Sequence, residues 1–404
     1  MLVRMTSPVW MEGCVSALAG LSAVIFIPDD TAKTGYPQPL MLQSVMGAPL
    51  LAWLANALFD SGVGRFFLVC HDRYVEAARA CLPAEAEVMT TMDSDPADLL
   101  HVFLSTAEDA EHTITVVTGP AVYLPQLAPQ AAGRFPRVYG VSREELMQAL
   151  DEHFSFARFL LDNGSPMNEE QAMYSVASPA ELPEIAGLLQ RNRLLALART
   201  GVEIYDASSC YVEPSVRVAP GARLLPGTML RGKTVIGEEA VIGPWSVIDD
   251  SVIGARAVVN ASQVRESRVG QDAVVGPYAS VRGGCELGRS VRAGSFVELK
   301  NARLGENTQV PHLAYLGDTE AGANCNFGCG VTTANFDRVQ KHETVVGEGA
   351  FIGCNTALIA PLQVGSGAYI GAGSTITEDV PAQALGIARA RQSNKKEWAA
   401  KHKK

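Results

Sequence analysis

VEPSVRVAPGARLLPGTMLRGKTVIGEEAVIGPWSVI, residues 212–248, carries an aliphatic side chain every six positions: Val212, Val218, Leu224, Leu230, Ile236, Ile242 and Ile248. One five-residue step leads to Ile253 and Val259. Two more lead to Val269, Val275, Val281 and Leu287, with Ala293 in phase and Leu299 closing the run. The rhythm returns at Val346, Ile352, Leu358, Val364, Ile370 and Ile376. Glycine often follows the aliphatic residue, and a small residue often stands two before it, as at Ala240, Ala273, Ala350 and Ala368. This is the signature of a hexapeptide-repeat parallel β-helix. Each hexapeptide makes one flat side, its aliphatic residue points inward, and the glycine eases the corner. Three of them close a triangular coil, so residues 18 apart stack on neighbouring coils, about 4.8 Å from one another.

A repeat reveals its functional positions where it departs from its structural default. After Val281 the corner position holds Arg282, and after Leu299 it holds Lys300, where glycine is usual. The two are 18 residues apart, so two cations should stack on successive coils and repel each other. A neighbouring carboxylate such as Glu298 could offset them. An anionic ligand accounts for both substitutions at once, phosphate suits a pair of cations, and the spacing favours that reading. One coil further on, HLAYLGDTEAGANCNFGCGVTTANFDRVQK (312–341) brings a histidine, a tyrosine, asparagines and a lysine into an otherwise apolar, glycine-rich repeat. The spacing jumps between Thr333 and Val346, so a short loop should leave the helix there. His312 could be a metal ligand, a general base or a surface residue. Metal sites need several converging histidines, and the repeat region offers only His312 and His342, which argues against a metal.

Ahead of the repeat the chain alternates strands and helices: SAVIFI (22–27), a helical pattern at Leu50, Leu51, Leu54 and Leu58, FFLV (66–69), helices over 73–81 and 96–106, and TITVVTG (113–119). Such alternation implies a mostly parallel sheet covered on both faces. Residues 120–175 read as largely helical. Ser178-Pro179-Ala180-Glu181 supplies an N-cap, a proline at the first helical position and a capping-box glutamate for a bridging helix up to Arg199.

The 404 residues have room for two or more full-sized cores. A net charge of −10 and a pI near 5.3 argue against a general nucleic-acid binder. The last stretch, RARQSNKKEWAAKHKK, reverses that balance with Arg389, Arg391, Lys395, Lys396, Lys401, Lys403 and Lys404 against Glu397. It is either a solvated tail or a docking site for a small anion. Eight cysteines without a Cys-x-x-Cys pair indicate neither a zinc knuckle nor a disulfide framework, which fits reduced thiols in a cytoplasm. The apolar run 15–27 resembles a signal-peptide core, but only Arg4 precedes it as a charge and it merges into the first strand. No apolar run reaches the roughly 20 residues of a membrane span.

With these residues in view the chain resembles, nearly end to end, the bacterial GlmU family, in which N-acetylglucosamine-1-phosphate uridyltransferase is joined to glucosamine-1-phosphate N-acetyltransferase. VRGGCELG, GSFVELKNARLG, HLAYLGDTEAG and ANFD carry the likeness. It implies an α/β Rossmann-like amino-terminal domain followed by a left-handed parallel β-helix of hexapeptide repeats, assembled as a homotrimer with sites between subunits. It implies that Arg282, Lys300, Tyr315, Asn326 and Lys341 hold the sugar phosphate, and that His312 is the catalytic base. Cys329, Asn335, Phe336, Cys354, Ala372 and Arg389 would line the acetyl-CoA site, and the basic tail becomes a CoA-phosphate contact. Cys329 and Cys354 stand where alanine and serine are usual, and a thiol is the poorer donor if that serine polarises the thioester.

The amino-terminal half departs further. The family reads L-A-A-G-x-G-T-R-M, then P-K, then G-K-P; here stand Phe26-Ile27-Pro28-Asp29, then Ala32-Lys33, Pro39-Leu40 and Gly47-Ala48-Pro49. The glycine loop and its lysine are lost. Gly119-Pro120 replaces the G-D-x-P that carries a magnesium-binding aspartate, and the second metal-ligand asparagine has no counterpart near Ala177-Ser178. Magnesium is therefore not expected, and neither is uridyl transfer, which needs the cation and its ligands. The expected organisation is a nucleotidyltransferase-like domain without that activity over 1–176, a bridging helix and linker over 177–208, the acetyltransferase β-helix over 209–381 and a basic tail over 382–404. Three readings stay open: acetyltransferase alone, a bifunctional enzyme with unusual residues, or a non-catalytic scaffold.

Overall fold

SAVIFI becomes a central strand because both of its faces find apolar partners. In the computed structural model, which describes residues 22–91, 97–106, 113–125, 127, 137–151, 156–167 and 172–402, this strand, β1 (Ser22–Ile27), pairs in parallel with β2 (Arg65–Cys70) and β4 (Thr113–Val117). The sheet continues through β3 (Glu87–Thr91), parallel to β2, and through β5 (Val138–Ser142) and β6 (Ser165–Met167), both antiparallel, in the order β3-β2-β1-β4-β5-β6. Alternate side chains go to opposite faces. Ala23, Ile25 and Ile27 pack with Leu51, Leu54 and Leu58 of the helix Leu50–Asp60. Val24 packs on the other face with Leu100, Phe103 and Leu104 of the helix Ala97–Ser105.

Residues 120–175 are not the helical stretch their composition suggests. Short strands Ala121–Tyr123, Val138–Ser142, Ser165–Met167 and Met173–Ser175 share the segment with helices Arg143–Asp151 and Phe156–Asn163. Strands this short have too few residues to set up an alternating pattern, and partners distant in sequence hold them in place. Glu87–Thr91 is a half-exposed edge strand without a buried alternating face, so its sequence carries no strand pattern. The helix ending at Arg199 is preceded by a 3₁₀ turn, Pro179–Glu181. There the Glu181 carboxylate accepts from the Ala177 N–H at 3.2 Å and the Ser178 hydroxyl at 3.3 Å. The leader-like residues 15–21 and Lys403 and Lys404 lie outside the described residues.

The chain divides into two units, Met1–Thr200 and Gly201–Lys404. The second is a left-handed β-helix with three faces. Face one begins with Tyr211–Val212 and runs through Met229–Arg231, Ser280–Arg282 and the first residues of Glu298–Leu304 and Tyr315–Ala321. Face two follows it, from Arg217–Val218, and face three closes each coil, as in Arg223–Leu224. Val212 stands opposite Leu230 and Leu230 opposite Ile248, each 18 residues on. Where the sequence takes five-residue steps the offset shrinks, as from Ile248 to Val264.

Two inward positions per side fill the interior. The aliphatic column is buried, and so is the small residue two before it, whether apolar (Ala240, Ala273) or hydroxylated (Thr228, Ser246, Ser262, Thr308). A buried hydroxyl is tolerable only when bonded. The Thr228 hydroxyl shares its one hydrogen between the Leu225 and Ile242 carbonyls, 2.7 and 2.9 Å away, and Thr308 donates to that of Gly322 at 2.8 Å. At the corners coils approach so closely that a Cβ on Gly270 would lie 2.6 Å from the carbonyl carbon of Gly288.

The corner between faces one and two is turned in the left-handed region by Gly232 (φ 61°) and Gly283 (φ 69°) on two coils and by Asn301 (φ 49°) and Asp318 (φ 48°) on two others. Asn301 also donates to Asp318 Oδ1 at 2.7 Å. Asn301→Ala should therefore cost about 1–2 kcal/mol, because alanine keeps the Cβ clash of the left-handed backbone and loses both the asparagine's tolerance of that region and its bond to Asp318. Asn301→Gly should cost less, because glycine keeps the turn and loses only the bond. Denaturant unfolding of the two variants checks this, and equal losses would show that the backbone is not the cause.

Candidate functional site

Arg282 faces Lys300 on the next coil, and Lys300 faces Gly317 on the one after. The two cations stack as the 18-residue spacing requires. Arg282 forms an ion pair with Glu298, so the offsetting carboxylate is real for one of them. Lys300 instead has a third cation beside it. The neighbouring Lys341 ammonium holds the Lys300 amine below its ordinary value, with Arg282 adding to the effect and Asp318 opposing it. Three cations converging on one corner make an anion-binding arrangement, because a phosphate among them would turn mutual repulsion into charge-assisted hydrogen bonds.

The loop after Ala334 delivers Lys341. Phe336 and Lys341 form an antiparallel bridge, and His342 N–H donates to the Asn335 carbonyl at 2.9 Å. Asp337 organises the turn: it accepts from the N–H groups of Val339 and Gln340, both at 2.7 Å, and meets His342 Nε2 at 2.7 Å. These bonds, the Gln340 N–H first, hold its carboxyl far below the usual range. The jump in repeat spacing thus yields a folded loop that carries Lys341 back to Lys300.

Tyr315 and Asn335 complete the cluster. A Cβ on Gly317 would collide with the Tyr315 hydroxyl and lie 2.6 Å from the Asn335 amide nitrogen, so the glycine makes room for both. Asn335 is only 7% exposed and donates to Asp318 Oδ2 at 2.5 Å. Asp318 is the residue that sequence reasoning missed. It joins Asn301, Asn335 and Lys300, and its signal was a corner ladder of Asn301, Asp318 and Asn335 at equal 17-residue intervals.

The opposite edge of face one carries a second set. His312 ends the strand Gln309–His312, is exposed, and faces Ser295 on the coil below. Gln309 faces Asn326 before the corner and Tyr315 faces Thr332 after it, both 17 residues on, so His312 lies beneath Cys329. The next two coils keep this column: Cys329 lies beneath Cys354 and Cys354 beneath Ala372, by the registers of Phe327, Thr332, Ile352 and Ala357. Arg389 ends it, its Cδ 3.7 Å from where a Cβ on Gly373 would be. His312 is thus in the coil its sequence position indicated but across the face from the cations. It is five residues from Gly317, at most about 17 Å of strand, with Tyr315 between. Asn326 stands apart on face three between Gln309 and Phe351, and Phe336 is exposed on the loop.

This geometry can be set beside known proteins. A profile described as "Bacterial transferase hexapeptide (six repeats)" matches residues 343–378. The "Bifunctional protein GlmU" of Clostridium perfringens is 41% identical over 240 residues, 59% of this chain and 53% of that protein. Over that stretch the chain is similar to GlmU. GlmU of Clostridium kluyveri is 43% identical over 237 residues, covering 58% and 52% of the two chains, and GlmU of Brevibacillus brevis 44% over 221 residues, covering 55% and 48%. The chain spans about half the length of these GlmU proteins. Among solved structures, the UDP-N-acetylglucosamine acyltransferase of Francisella novicida matches 46% of this chain and 66% of its own at 19% identity and TM-score 0.27. The inositol-1-phosphate CTP transferase of T. maritima matches 43% and 97% at 12% identity and TM-score 0.33. Neither likeness bears on function.

The amino-terminal unit holds different chemistry where a GlmU-type loop would cradle phosphate. Asp29 accepts from the Thr31 hydroxyl at 2.7 Å and the Tyr74 hydroxyl at 3.5 Å and pairs with Arg73, whose guanidinium lies 4.6 Å above the Tyr74 ring. These contacts, the Thr31 hydroxyl foremost, lower its carboxyl pKa. Asp30 accepts from the Leu40 N–H at 3.0 Å. At the end of β4 the Arg137 side chain comes within 3.2 Å of a Cβ position on Gly119. Carboxylates tied into local bonds thus stand where the resemblance would put a phosphate loop, and a guanidinium lies beside Gly119, where it would put a cation-binding aspartate. Among the described residues no group of three or more His, Cys, Asp or Glu side chains could hold a metal ion, and no helix is long and apolar enough to cross a membrane.

Proposed function

We propose that the chain transfers acetyl from acetyl-CoA to the amine of glucosamine-1-phosphate, yielding N-acetylglucosamine-1-phosphate for UDP-N-acetylglucosamine and cell-wall synthesis, and that it does not transfer uridylyl groups. One observation carries the reading: face one has a triple-cation corner at one edge, a histidine at the other and a tyrosine between. Arg282, Lys300 and Lys341 take the phosphate, with Tyr315 against the sugar and Asn326 contributing from face three. His312 accepts a proton from the substrate ammonium, since only the neutral amine attacks a thioester and a histidine base works near pH 7. The amine then adds to the acetyl carbonyl, and CoA leaves as its thiolate. Acetyl-CoA lies along the column of Cys329, Cys354 and Ala372, with Arg389 toward its phosphates; Asn335 and Phe336 stand at the cation edge across the face and would line an acetyl-CoA bound along a neighbouring subunit's column. A homotrimer, as the resemblance implies, would bring further groups from a neighbouring subunit to this edge.

Lys300→Ala tests the phosphate assignment. It should raise the apparent KM for glucosamine-1-phosphate roughly 10–100-fold, through the loss of one charge-assisted bond, while glucosamine suffers little. Steady-state kinetics on the two substrates decide it. Equal effects would make the lysine structural.

A further inference from the structure

Seven cysteines fall among the described residues, none of them in a disulfide. Cys70, Cys81, Cys210, Cys285 and Cys325 are buried, whereas Cys329 is half-buried and Cys354 exposed. Burial raises the thiol pKa of Cys210, Cys285 and Cys325, and lifts that of Cys81 to about 11, which keeps them protonated and unreactive. The two thiols that reach solvent are neighbours. They occupy the same corner position on successive coils, where the Asn355 N–H donates to the Cys329 carbonyl at 2.7 Å. Paired strands at this spacing, about 4.8 Å, fall within the Cα separations a disulfide accepts, about 4.4–6.8 Å. Beside Cys329 the two coils touch closely: the Cys354 N, Cα and Sγ lie 2.6, 2.9 and 2.9 Å from where a Cβ on Gly328 would be, an approach that needs glycine at 328.

We propose that Cys329 and Cys354 form a dithiol site for oxidative modification by small disulfides, closing to an intercoil disulfide that blocks the acyl-CoA column. The thiolate of one cysteine attacks a sulfur of glutathione disulfide and displaces one glutathione thiolate. The other cysteine, as its thiolate, attacks the protein sulfur of the mixed disulfide and displaces the second. The protein loses two protons and two electrons, and the oxidant gains both electrons as two thiolates. The functional consequence rests on the acetyltransferase reading above; the chemistry does not.

The test uses the whole chain carrying Cys14→Ser, since Cys14 lies outside the described residues. After incubation with glutathione disulfide, intact mass should fall by two hydrogens and peptide mapping should join Cys329 to Cys354. Cys354→Ser should instead trap a glutathione adduct on Cys329. Acetyl transfer should fall as the disulfide forms and return with dithiothreitol. A lasting glutathione adduct on the protein with both cysteines present, or no reaction at either thiol, would overturn the site. Full acetyl transfer by the oxidised protein would overturn the block. A disulfide in a protein whose reduced form transfers no acetyl group would support the dithiol and refute the acetyltransferase reading instead.

Discussion

His312→Ala should lower kcat for acetyl transfer by about 10²–10⁴-fold, the usual range for losing a general base. The side chain is exposed at the end of a short strand and no inward-facing layer depends on it, so stability should be unchanged. Acetyl-CoA affinity should also hold, because Cys329, Cys354, Ala372 and Arg389 remain in place. The preference for the phosphorylated sugar should survive as well, since the Arg282, Lys300 and Lys341 cluster stands across the face. The expected signature is thus a fall in kcat with both KM values nearly kept. A kcat equal to wild type would remove His312 from the mechanism and leave it a surface residue.

UTP with magnesium should give no binding heat in isothermal titration, and UTP with N-acetylglucosamine-1-phosphate should release no pyrophosphate. The reason is electrostatic. Asp29 and Asp30 stand at the strand end where backbone N–H groups would have to receive a polyphosphate, and local bonds already use both carboxylates. Arg137 lies over Gly119, so a divalent cation there would meet a guanidinium in place of a carboxylate ligand. Lys33 is the cation within the turn itself, and one flexible lysine does not neutralise a triphosphate. The unit still folds, because its two apolar clusters are continuous on both sides of the sheet. Micromolar binding with pyrophosphate release would restore the bifunctional reading.

The β-helix was legible because its six-residue aliphatic period reports directly which side chains point inward, and every coil repeats the message. Arg282 over Lys300 followed from that period alone. What the period did not carry was position within a coil: His312 and Lys300 are near in the repeat yet sit at opposite edges of one face. Lys341 joined the cluster only through a loop whose path depends on Asp337 and the Asn335 carbonyl, contacts without a periodic trace. Asp318 reads as another left-handed corner residue until Asn335 and Lys300 are seen beside it. In the first unit, Val24 and the Leu50 helix announced themselves by spacing, while strands such as Met173–Ser175 are held by antiparallel partners far away in sequence.

Acetyl transfer itself is the central claim, and thiol release measures it most directly. The reduced 404-residue chain, given acetyl-CoA and glucosamine-1-phosphate together, should liberate CoA thiol in step with N-acetylglucosamine-1-phosphate and should liberate little with either substrate alone. Absence of thiol release, or release without acetylation of the amine, would contradict the account.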